Sequence, residues 1–109
     1  MGREGLLGEF EQMLLLAALR LGDQAYGVAL MKELEAVAGR RVSRGSVYVT
    51  LDRMEEKGWV QSSLSPARQE RGGRSRRIIK VTAEGVSQLR RSKEALQALW
   101  DGVEALRTP

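Results

Sequence analysis

The 109-residue chain has no cysteine and no histidine. Without cysteine there are no disulfides and no thiolate chemistry, and without histidine the usual zinc ligands and the usual general base are also missing. No residue set resembles an activated nucleophile with its base, so an enzyme is the least favoured class, and no cofactor or metal is expected. No apolar run reaches the roughly 18 residues that a membrane span needs, and the first residues lack the basic, apolar and small-residue blocks of a signal peptide. A cytoplasmic protein with no membrane partner is the expectation. Internal repeats, low-complexity tracts, a P-loop and a Rossmann glycine pattern are absent as well. Gly72-Gly73 lacks the strand-to-helix context of a phosphate cradle and reads as a turn.

What is present is a chain 42% hydrophobic, enough for one compact domain with a modest core that a partner subunit would enlarge. The net charge of +4 hides an uneven distribution. Residues 40–80 carry eleven Lys/Arg against four Asp/Glu, a local excess of +7, and the rest of the chain is net acidic. A polyanion is the natural partner of such a block, the plainer alternative being a solvated surface.

Within that block, Val42 to Trp59 reads as a short amphipathic helix with its own start and stop. Ser43 is placed to cap its first turn, Gly58 suits the left-handed residue that closes it, and Val47, Leu51 and Met54 recur at helical spacing. The opposite side carries Gly45, Val49, Asp52 and Glu56, with Arg44 and Arg53 towards the flanks. Small residues near the N-terminus let such a helix enter a DNA major groove while its arginines face phosphates. An ordinary solvated surface helix fits the same pattern.

Before it, Glu9 to Leu21 forms a helix that ends at Gly22 and Asp23, and Met13 to Leu19 is apolar nearly all round. Either this is a central core helix, or part of it, Leu14 included, faces a second subunit. A second helix from near Ala25 to Ala38 turns Leu30, Leu34 and Val37 inward and Lys32, Glu33 and Glu35 outward, and ends at Gly39. Two helices joined by a short Gly-containing link match a helix-turn-helix, in which the second helix reads DNA. After Gly58 the period becomes alternating: Val60 to Leu64 and Arg76 to Val81 predict two strands, with Ile79 and Val81 facing the core. The polar segment between them makes a hairpin whose basic tip bears Arg68, Arg71, Arg74, Arg76 and Arg77. Beside a helix pair such a tip reads as a wing; alone it reads as an edge kept soluble by charge. Thr82 then caps a last helix from Ala83 to about Leu106, with Leu89, Leu96 and Val103 one heptad apart and Ser92, Leu99 and Leu106 interleaved. That stripe outlasts the small core and predicts pairing with a second copy, the alternative being packing onto the first helix of the same subunit.

The order of these elements, with LLLAALRLGD, AYGVALMKELE, VSRGSVYVTLDRMEEKGWV and GGRSRRIIKVTAEGVSQL, resembles the PadR-like transcriptional regulators, which are winged helix-turn-helix proteins. Tyr26-Gly27, Gly45-Ser46-Val47-Tyr48, Leu51, Met54-Glu55, Lys57-Gly58 and Thr82-Ala83-Glu84-Gly85 fall where that family's pattern wants them. The chain departs where Val49 follows the tyrosine in place of the usual proline, and where Ile78-Ile79 replaces aromatic residues in the wing. The resemblance implies an α+β, mainly α fold: a winged helix-turn-helix of three helices and a two-stranded wing over residues 1–81, then a dimerisation helix over 82–109. It implies a homodimeric cytoplasmic repressor on a partly palindromic operator, of the family's compact branch.

The resulting set of DNA-binding candidates is Arg40, Arg41, Ser43, Arg44, Ser46, Tyr48, Val49, Arg53, Arg71, Arg74 and Arg76. Tyr48, Ser46 and Arg44 are expected to donate to phosphates or base edges, Val49 to touch a thymine methyl, and Arg53 and the wing arginines to release counterions. Glu55 and Glu56 are expected to keep the end of the helix off the backbone. The dimerisation candidates are Leu14, Leu89, Leu96, Leu99, Val103 and Leu106. Trp100, beside that stripe, is a candidate platform for a small planar aromatic effector, the plainer role being packing in the seam. A winged helix that binds protein and no DNA is the competing function.

Overall fold

The computed structural model describes residues 7–65 and 76–106. Arg68, Arg71 and Arg74 of the expected wing tip lie outside the described residues. The order is α1 (Glu9–Leu21), a 3-10 turn (Gly22–Gln24), α2 (Gly27–Ala38), α3 (Arg44–Glu56), β1 (Val60–Leu64), β2 (Arg77–Val81), α4 (Ala83–Trp100) and a second 3-10 turn (Glu104–Leu106).

Local signals set most of these boundaries. The Glu11 carboxylate accepts a hydrogen bond from the Gly8 amide at 2.9 Å, and acids in the first turn of α1 with Arg20 in its last suit the helix dipole. Gly22 then ends α1 with a φ of 58°. The strands pair antiparallel from Val60 with Val81 to Leu64 with Arg77. Ahead of α2 the backbone is extended rather than helical: the Ala25 carbonyl accepts from the Ile79 amide at 2.8 Å, and Tyr26 bridges to Ile78. That pairing against β2 moves the start of α2 from the expected Ala25 to Gly27.

α1 is the centre of the core. Leu14 and Leu15 are fully enclosed, alongside Leu30 of α2, Val47, Leu51 and Met54 of α3, and Val60 and Ile79 of the hairpin. Leu14 is therefore no subunit-interface residue, because its own subunit already covers it; the apolar side of α1 left open is Leu16 and Leu19. Val37, expected inside, is exposed at the edge of a hollow between α1 and the last turn of α2.

α4 belongs to the core at its start and leaves it later. The Thr82 hydroxyl accepts from the Gly85 amide at 3.0 Å and donates to the Gly58 carbonyl at 2.6 Å, joining the end of α3 to the start of α4. Gly85 sits so close to the Trp59 carbonyl that a side chain there would overlap it. One turn past Leu89, the buried Ser92 hydroxyl accepts from the Leu7 amide at 3.1 Å. Beyond Ser92 the apolar residues Leu96, Leu99 and Trp100 are exposed. The helix stops at Trp100 rather than near Leu106: Asp101 is extended and Gly102 has a φ of 82°, so Val103 and Leu106 follow a break and do not continue the heptad face. No helix among the described residues is long and apolar enough to cross a membrane.

Candidate nucleic-acid interface

α3 is fastened at both ends. The Ser43 hydroxyl accepts from the Ser46 amide at 3.1 Å and donates to the Ser46 hydroxyl at 2.9 Å, satisfying an amide that the first turn leaves free. At the other end the Gly58 and Trp59 amides donate to the Glu55 and Met54 carbonyls, a Schellman closure that the left-handed Gly58 permits. Between them Val47, Thr50, Leu51 and Met54 face the core, and Gly45, Ser46, Val49 and Asp52 face out. Val49 is 56% exposed. Gly45 and Ser46, followed by one exposed valine, let base edges come close, which long side chains at those positions would prevent.

Two cationic concavities flank this face. On one side Arg40, Arg41 and Arg53 line a hollow of about 590 Å³ with Phe10, Ser43, Ser46 and Val49. Arg40 is braced there, paired with Glu9 at 3.0 Å and lying over the Phe10 ring at 5.2 Å; Arg41 meets Glu35 at 3.4 Å but is otherwise exposed. On the other side Lys32, Arg44 and Arg76 line a hollow of about 450 Å³ with Tyr26 and Tyr48. The Arg76 guanidinium stacks over the Tyr26 ring at 4.2 Å, and its amide donates to the Ser65 hydroxyl at 3.0 Å. The Tyr48 hydroxyl rests against Gly27, where a side chain would overlap it, so Tyr48 lies along the start of α2. α2 has no capping side chain, and its N-terminal amides add to the positive character of this flank. Arg44 and Arg53 form no ion pair with another described residue.

Sequence reasoning missed Lys32 and Tyr26 as members of this surface, because only the packing of α2 against α3 brings them beside Arg44. It also placed Arg77 with the free wing cations. Arg77 instead pairs with Asp52 at 3.0 Å and Glu55 at 2.9 Å and donates to the Ser62 hydroxyl at 2.8 Å. The signal was available: Arg77 has the same strand parity as Ile79, the core-facing side. The Ser62 hydroxyl, and next the Arg77 guanidinium, hold the Glu55 carboxyl below its usual range. Glu55 is thus a compensated charge and not a free repellent of the DNA backbone.

A third surface is apolar. Leu16 and Leu19 of α1 and Val86, Leu89, Leu96 and Trp100 of α4 line a groove of about 480 Å³, edged by Gln12, Arg90, Lys93 and Gln97. Of the expected dimerisation residues, it gathers Leu89 and Leu96; Leu99, Val103 and Leu106 are exposed outside it, and Leu14 is in the core.

Residues 15–91 match the sequence model of the transcriptional regulator PadR-like family. Similar solved structures include a PadR-like transcriptional regulator from Bacillus cereus strain ATCC 14579, 25% identical, with a TM-score of 0.69 over 92% of each chain. A PadR family transcriptional regulator from Eggerthella lenta DSM 2243 is 28% identical, with a TM-score of 0.67 over 93% of this chain and 88% of that one. One from Clostridium difficile R20291 is 27% identical, with a TM-score of 0.66 over 83% of this chain and 90% of that one. No curated protein matches the chain.

Proposed function

The chain belongs to the PadR-like family of transcriptional regulators, and from that premise we propose that it works in the cytoplasm as a homodimeric repressor that seats one α3 in each half of a partly palindromic operator. The observation that carries this reading is the outer face of α3: Gly45, Ser46 and an exposed Val49, flanked by Arg40, Arg41 and Arg53 on one side and by Lys32, Arg44 and Arg76 on the other. The two flanks suit the two phosphate backbones that border a major groove, and Val49 suits a thymine methyl within it. Arg44, Arg53 and Arg76 supply affinity through counterion release, with Ser46 and Tyr48 donating at the entry of the helix. In the dimer the reading helices lie about one helical turn, roughly 34 Å, apart.

The apolar groove between α1 and α4 supports the dimer. Leu16 and Leu19 of α1 and Leu96, Leu99 and Trp100 of α4 are exposed large apolar side chains on neighbouring helices, the kind of contiguous patch that marks an interaction surface. We assign residues 7–81 to the DNA-reading unit and α4, from Ser92 onward, to subunit pairing. Where two copies meet, Trp100 offers an aromatic face to a planar apolar effector that releases the operator.

The test is selection of bound sequences from random DNA, followed by retardation of the selected and scrambled duplexes. Enrichment of an inverted repeat and preference for it is the expected outcome. Equal binding to both duplexes removes sequence reading, and no binding at low salt leaves a protein-interaction module.

A further inference from the structure

The wing's described cations do different work. Arg76 lies over Tyr26 beside Arg44, on a flank open to phosphate. Arg77, one residue on, borders the same hollow, but its guanidinium is drawn to two successive turns of α3, Asp52 and Glu55, while its Nε donates to Ser62 of β1. Ser62 in turn donates to Glu55 at 2.6 Å, closing a ring of contacts that joins both strands to the reading helix. The Arg77 side chain is only 26% exposed, and the donors named here are spent on protein acceptors. Asp52 lies one turn beyond Val49 on the outer face of α3, so the clamp reaches the side of the helix that carries Val49.

We propose that Arg77 is a positioning residue that does not touch DNA: it clamps the wing to α3 through Asp52 and Glu55, so that it governs discrimination between operator and other DNA. The inference rests on the reading of α3 and the wing as the DNA interface. Val60 and Ile79 anchor the base of the hairpin in the core, and an outer part left free to pivot still meets the backbone of any duplex with Arg76. Simultaneous seating of α3 and wing, which only the operator rewards, needs the hairpin held at one angle, as any preorganised site does. A residue that binds no phosphate releases no counterion, so its removal leaves the salt dependence unchanged.

The experiment is a salt titration of the full chain on selected operator and scrambled duplex, for wild type, Arg77→Met, Arg77→Lys and the double variant Asp52→Asn/Glu55→Gln, with thermal melts to confirm folding. Arg77→Met is expected to lose about tenfold on the operator, a coupling-sized effect, and much less on scrambled DNA, at unchanged salt slope. Arg77→Lys, which keeps the charge but lacks the planar fork, retains the slope and loses part of the discrimination. The double variant frees Arg77 for phosphate and steepens the slope on both duplexes by about one. Arg77→Met that flattens the slope by about one and weakens both duplexes alike makes Arg77 a phosphate ligand and overturns the inference; so does a variant that matches wild type on both. A wild type that binds neither duplex removes the DNA reading itself. Independently of DNA, the Glu55 titration followed by carbon NMR is expected to move up in Arg77→Met, and an unmoved titration also overturns the clamp.

Discussion

The two ends of the molecule leave their surfaces open in opposite ways. At the α3 and wing end exposed cations flank Val49, some braced by stacking or acidic partners and some, such as Arg44 and Arg53, without an ion pair among the described residues. At the α1 and α4 end leucines and a tryptophan are exposed. Exposed charge is content in water and gains most from a polyanion, with a strength that salt controls. Exposed apolar surface is not content in water, and what satisfies it is a second apolar surface, with a strength that concentration controls. Salt and concentration therefore act as separate handles on the two ends.

The largest expected effect breaks the apolar end. Leu96→Lys is expected to turn the proposed dimer into monomers by sedimentation, and to lower operator affinity about a hundredfold or more, because the second half-site contact stops being intramolecular. A variant still dimeric at micromolar concentration would mean that the α1 and α4 groove is not the seam.

Next in size is a pair of glycines, one in each helix. Gly85→Ala is expected to destabilise the fold by about 1–3 kcal/mol in denaturant titration, since the Trp59 carbonyl and Val81 side chain leave no room. Gly45→Ala, with open space around it, is expected to leave stability level or raise it by about 0.5–1 kcal/mol, and to weaken operator binding all the same. Unchanged operator affinity in Gly45→Ala would argue that the first turn of α3 does not approach bases.

Smaller effects sharpen the charged end. Arg44→Ala is expected to weaken operator and scrambled DNA together and to flatten the salt slope by about 0.9 per half-site, whereas Val49→Ala costs about 1 kcal/mol per half-site on the operator alone with the slope intact. The smallest is a pH effect. The folded carboxyl of Glu55 is held below its usual range, so its contribution is present above the unfolded carboxylate range and is lost as pH falls through the depressed value. The Glu55 side chain is 41% exposed, which keeps this contribution within the modest range of screened surface pairs. Melting temperatures are expected to fall less between neutral pH and about pH 3 in Glu55→Gln than in wild type.

The elements of this protein were open to reading in the chain because short-range chemistry decides them. Ser43, Gly58, Gly22 and Thr82 mark helix ends through hydrogen bonds and φ values that involve only a few neighbouring residues, and the change from helical to alternating period at Gly58 marks the hairpin. Heptad spacing overruns at α4, because Val103 and Leu106 keep the period although Gly102 is a stop as local as the others.

What the chain by itself determined, then, is the order of its elements, the faces of α3 and the basic middle third. What the tertiary structure decided is which apolar residues its own core uses and which charges are already spent. Leu14 and Leu16 are two leucines of one apolar run, and only the packing of α2, α3 and the hairpin around α1 encloses the first and leaves the second open. Arg76 and Arg77 are two arginines side by side, and only the distance from β2 to α3 gives one a tyrosine and an open flank and the other two carboxylates. Caps and periods depend on atoms a few residues apart, whereas coverage and ion pairing depend on segments brought together from far along the chain.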